Sequence, residues 1–219
     1  MTVLDVPLAP RRLAGSIRAV RRVLPMVGCG VPADALDGEG VAEWVRRHGV
    51  TVTACGDDEL TQVLGRGVRP EQLVLRCGPR ADTARRAVRL GVRRYLVSTE
   101  RHVDVLADCT SEVVHLYLDE LGPAVLGERH LDICGMHCDV DDFDDWGRAT
   151  GRLLDRVALM WACGSRLTRI SLAGGSASVW LAGGAELVQI ASAVDAALDD
   201  GCARWRLPRP AVALAARRA

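Results

Sequence analysis

The sequence predicts an α/β protein, folded as a single closed (β/α)8 barrel of the TIM type. Three observations lead there. Between Val50 and Ser98 one unit of strand, turn and helix is stated about twice over, and a third strand begins. Short strands alternating with helices of roughly ten residues bury both sheet faces only if the strands run parallel beneath the helices. About eight such units fill the 219 residues, which favours closure over an open doubly wound sheet.

Residues 1–22 hold prolines and paired arginines and read as an N-terminal segment ahead of a barrel domain over 23–219. Val23-Leu24-Pro25-Met26-Val27 reads as the first strand, ending at Gly28-Cys29-Gly30. A helix follows from Gly38 to His48, with Val41, Trp44 and Val45 inward. Val50 to Cys55 alternates apolar and β-branched residues, a strand pattern; Gly56-Asp57-Asp58 then turns into a helix with Leu60, Val63 and Leu64 on one face. Gly65 and Gly67 stop it, Leu73-Val74-Leu75 is the next strand, and Asp82 to Leu90 the next helix, closed by Gly91. Tyr95-Leu96-Val97 and Val113 to Leu118 are further strands, with a helix around Val103 to Ala107 between them, and Ile133 to Cys138 is the sixth strand. Asp142 to Cys163 gives the longest helix, with Asp142 as a natural N-cap. Arg169 to Leu172 is the seventh strand, running into Ala173-Gly174-Gly175-Ser176. A helix from Glu186 to Leu198, a strand from Ala203 to Leu207 and a short alanine-rich terminal helix complete the expectation.

Composition narrows the function. Basic and acidic residues balance at 28 each, so no global field holds nucleic acid or an anionic membrane. All 28 basic residues are arginine; the sequence contains no lysine. A GC-rich coding sequence would produce the same bias. No apolar leader core opens the chain and no run approaches the length of a membrane span, so a cytoplasmic location is expected. The eight cysteines lack a CxxC pair and read as thiols, mostly small buried hydrophobes.

Strand ends are where barrels keep their chemistry. Here they collect Cys29, Cys55, Cys77, His137, Cys138 and Asp139, a set that could bind zinc or supply a nucleophile beside His137. Packed small residues explain the same positions more simply. Asp139, Asp141, Asp142, Asp144 and Asp145 precede the long helix and suit its dipole. His48 and His115 read as structural, and the pairs Arg46-Arg47, Arg85-Arg86 and Arg93-Arg94 as solvated.

The ordered series Ala54 to Leu60, Leu73 to Arg80 with Gly78-Pro79-Arg80, Gly91-Val92, Gly135-Met136-His137-Cys138 and Gly174-Gly175 resembles the N-terminal barrel of the pyridoxal-phosphate decarboxylases. That family includes the diaminopimelate and ornithine enzymes and shares its fold with alanine racemase; the match spans roughly Val23 to Pro208. The resemblance implies a cofactor held as a Schiff base on a lysine of the first strand. Gly28 stands at the matching position, and no lysine exists elsewhere. The family's ring-stacking histidine becomes Asp139, its phosphate-proximal Gly-Ser becomes Asp141-Asp142, and its Glu-Pro-Gly-Arg stretch becomes Leu207-Pro208-Arg209-Pro210.

The expectation is therefore an alanine-racemase-type barrel without the family's C-terminal β-domain and without covalent catalysis. It would serve as a scaffold, a regulatory partner or a small-ligand sensor, as a homo-oligomer or with a related decarboxylase-type chain. Pyridoxal phosphate, if held, would be held non-covalently by Gly174, Gly175, Ser176 and His137. The alternatives are an enzyme using the strand-end cysteine, histidine and aspartate set, or half of a lyase completed by a partner chain.

Overall fold

A computed structural model describes residues 8–122, 130–182 and 185–217. Eight parallel strands, neighbours in chain order, close into a barrel. They are β1 (Gly28–Pro32), β2 (Thr51–Cys55), β3 (Leu73–Arg76), β4 (Arg94–Val97), β5 (Val114–Asp119), β6 (Leu131–Val140), β7 (Arg169–Ser176) and β8 (Ala211–Arg217). The helices are α1 (Leu8–Val23), α2 (Val41–His48), α3 (Gly56–Gly65), α4 (Ala81–Arg89), α5 (Glu100–Cys109), α6 (Trp146–Ala162), α7 (Ala177–Ala182) and α8 (Ala185–Trp205).

The middle of the chain forms the expected elements; both ends depart from expectation. Val23 ends α1, and the first strand begins at Gly28 rather than ending there. Leu13, Ile17 and Val20 recur at helical spacing and are buried, so the opening residues are an amphipathic helix. It packs against α7, α8 and α2, the station of a helix that would follow β8. Ser16 Oγ donates to the Trp180 carbonyl at 2.5 Å across this contact. Of the expected N-terminal segment, residues 1–7 lie outside the described residues.

The expected strand Ala203 to Leu207 is the end of α8 and the loop after it, and the expected terminal helix is β8. Pro208 and Pro210 bar a helix from continuing, and Arg206 takes a left-handed φ of 53° where α8 stops. Alanine's helical preference then yields to tertiary pairing: Ala213 and Ala215 sit opposite Gly28 and Gly30 in the β8–β1 ladder. A Cβ on Gly30 would stand 3.0 Å from that of Ala215, so this seam closes only on small residues. The helix expected to be the longest, α6, starts at Trp146 after a 3-10 turn over Phe143–Asp145, so Asp145, not Asp142, is its N-cap, and at 17 residues it is shorter than the 21 of α8.

Alternate side chains of each strand face opposite ways. Outward positions join the helices in one continuous apolar core, with Leu60, Leu116, Leu153, Leu172 and Leu198 fully buried. Inside the barrel a second, small cluster of Val74, Leu96, Tyr117 and Cys134 covers one side only. The opposite wall is glycine, alanine, threonine and serine, and a cavity of about 380 Å³ remains.

Candidate functional site

Inward residues of all eight strands line the cavity, from Arg94 at the start of β4 to Arg217 at the end of β8. Arg76, the last residue of β3, extends across the barrel to β6. Its Nη2 lies 2.8 Å from both carboxylate oxygens of Asp139 and 2.9 Å from His137 Nε2. Its Nη1 is 4.0 Å from Asp119 at the end of β5. His137 is 2% exposed; its Nδ1 lies 3.1 Å from Ser171 Oγ on β7, and its Nε2 lies 3.1 Å from Asp139 Oδ1. Burial pushes the Asp139 carboxyl up, but hydrogen bonding to His137 and the charges of Arg76 and Arg217 outweigh it and hold the group below the usual range.

His137 Nε2 therefore faces a guanidinium that can only donate and a carboxylate that can only accept. A bare Nε2 accepts from Arg76; a protonated Nε2 donates to Asp139. Ser171, His137 and Asp139 line up as a nucleophile, base and carboxylate would.

Of the strand-end set, Cys55, His137 and Asp139 face the cavity from inward positions, and Cys29 borders it from an outward one. Cys29 and Cys77 belong to the outer core, and burial pushes their thiols up to about 11 and about 12. Cys138 turns outward and donates to Glu120 Oε2 at 2.8 Å; burial and that carboxylate push it up to about 12. Thiols so held are poor nucleophiles. Among the described residues no three His, Cys, Asp or Glu side chains gather to hold a metal ion.

Arg76, Ser171, Arg94 and Arg217 do not stand out in the sequence, yet all line the cavity. The signal available was phase: Arg76 follows Val74 by two residues, and Arg94 precedes Leu96 by two, so each shares an inward face. The pair Arg93-Arg94 is thus split, Arg93 pairing with Glu112 at the surface and Arg94 entering the barrel. Leu207 to Pro210 enter β8 from the end opposite His137 and Asp139. Arg217 holds the rim end of β8 and pairs with Asp141.

The residues present do not fit pyridoxal phosphate. By ladder pairing, the inward positions of β1 are Gly28, Gly30 and Pro32, and none can form an imine. Gly174, Gly175 and Ser176 end β7 and are not among the cavity-lining residues. A Cβ on Gly174 would stand 2.6 Å from the Val140 carbonyl and 2.8 Å from the Trp146 ring. This glycine serves close packing of β6, β7 and α6, and Gly175 supplies a φ of 66° at the turn.

No family model matches the chain, and no curated protein matches it. Solved structures do. Ornithine decarboxylase from Entamoeba histolytica is 16% identical with a TM-score of 0.68, over 93% of this chain and 62% of that one. Lysine decarboxylase from Selenomonas ruminantium is 15% identical with a TM-score of 0.71, over 94% and 59%. Diaminopimelate decarboxylase from M. jannaschii is 10% identical with a TM-score of 0.78, over 95% and 59%. The chain thus spans about 60% of the length of the solved structures it matches. Closed, parallel and eight-stranded, it has the (β/α)8 barrel fold of the ornithine, lysine and diaminopimelate decarboxylases.

Proposed function

We propose that this barrel binds a small organic molecule non-covalently and acts as a sensor or regulatory partner, with no covalent pyridoxal chemistry of its own. One observation carries the reading. The cavity of about 380 Å³ keeps a connected polar network of Arg76, His137, Asp139 and Ser171 although no lysine exists to form an imine. Satisfied polar groups around open space suit reversible recognition. An oligomer with itself or with a decarboxylase-type chain belongs to the same proposal, and light scattering of the protein alone and in such mixtures tests it.

The binding reading is tested by thermal unfolding against a panel of small acids, amines, amino acids and sugars, with pyridoxal phosphate included. At least one class should raise Tm saturably, and Arg76→Gln should remove the effect. Release of carbon dioxide from an amino acid in the presence of pyridoxal phosphate, or a panel in which nothing binds, would overturn it.

A further inference from the structure

We propose that the floor of the barrel is a carboxylate-binding site, where Arg94, Arg169 and Tyr117 receive the anionic end of a small organic acid whose carbon chain lies on Val74 and Leu96. The inference rests on the non-covalent binding reading and names the ligand class.

The two ends of the cavity differ in charge compensation. At the rim, Arg76 faces Asp139 and Asp119, and Arg217 faces Asp141. At the floor, Arg94 enters from the start of β4 with neutral acceptors: Nη1 is 3.5 Å from Thr51 Oγ1, and Nη2 donates to the Glu71 carbonyl. Arg169 starts β7, level with Tyr117 across Gly135 in the β5–β6–β7 ladders, and its charge disfavours that of Arg94. Among the described residues no ion pair joins a carboxylate to either guanidinium, and the nearby Asp132 bonds His115 at 2.7 Å. Burial lowers the pKa of Arg94, and Arg169 adds to the effect, yet a guanidinium stays charged in water-accessible protein. Arg94 is half-buried in this floor and Arg169 exposed at its edge, and the half-buried charge is costly until an anion arrives.

The chemistry of that anion follows from the walls. Forked donors from two arginines with a phenol match a planar carboxylate. Beside them lie Val74 and Leu96 on one side and Ala213 and Ala215 on the other, surfaces that reward carbon rather than a bare hydrated ion. Val74 is level with Arg94 in the β3–β4 ladder, and Arg76 is level with Leu96. The floor and rim arginines are therefore one strand repeat apart, about 6.6 Å. An acid of roughly four to eight carbons fills that depth, with its far end under the rim network.

Calorimetric titration of the full chain with butyrate, hexanoate and octanoate, and with hexanamide as the uncharged control, tests the site. Hexanoate should bind saturably, hexanamide should not, and Arg94→Gln should weaken hexanoate at least tenfold, about the worth of one charge-assisted hydrogen bond. Arg169→Gln and Tyr117→Phe should each weaken it too, and they supply the readout if Arg94→Gln does not fold. Equal binding of the amide, or unchanged affinity in every foldable variant, would overturn the proposal. If no carboxylate binds while another class saturates the wild type, the floor site fails and the binding reading stands; if no class binds, both fail.

Discussion

The barrel wall faces two different environments. Its outward side meets the helices through one unbroken apolar core, while its inward side carries a small one-sided cluster, a polar network and open space. The wall's outer face sustains the fold, which leaves the inner face free to carry charge. A protein that placed Arg76, Arg94, His137 and Asp139 within its main core would lose stability for each one.

If that division of labour holds, the largest loss should come from the outer side. Deleting residues 1–23 removes Leu13, Ile17 and Val20 from the core, at about 1.5–3 kcal/mol each. The total rivals the whole stability of a typical domain. Circular dichroism of the truncated chain should show no cooperative unfolding; a folded truncation would break the comparison. Leu172→Ala, at a fully buried outward position of β7, should cost about 2–5 kcal/mol by denaturant titration.

Gly135→Ala probes the seam between the two environments. A Cβ there would stand 2.5 Å from the Arg169 carbonyl, so β6 and β7 must separate, at about 1–3 kcal/mol of unfolding free energy.

Inner positions should affect stability less and in ways that reveal charge. Because the Asp139 carboxyl titrates below its ordinary range when folded, it contributes stability at neutral pH. That contribution fades as pH falls through the usual aspartate range toward the lower folded value. The stability gap between wild type and Asp139→Asn should thus narrow between pH 7 and about pH 3; a gap that widens would sink the assignment. Smallest of all, Ala213→Leu adds apolar bulk into the cavity and should change stability by under about 1.5 kcal/mol while abolishing any ligand-induced rise in Tm.

The central units from Val50 to Ser98 were legible because alternation, glycine stops and helical spacing agree there. The seam was not. Gly28-Cys29-Gly30-Val31-Pro32 is weak as a strand and Ala211 to Ala216 reads as a helix, since both were shaped by contact with each other rather than by local preference. At the site, His137 and Asp139 were visible through the family resemblance. Arg76 and Ser171 were hidden because one arginine among 28, or one serine in a strand, carries no local mark; only closure of the barrel brings them to His137.

The pairing of β1 with β8 also shapes how the chain must fold. Gly28 meets Ala213 across nearly the full sequence, so closure waits until the last strand has left the ribosome. Until then β1 and β7 are bare sheet edges, open to pairing with a neighbouring chain. Yield in cells should depend on synthesis rate and temperature more steeply than the stability of the finished barrel would suggest.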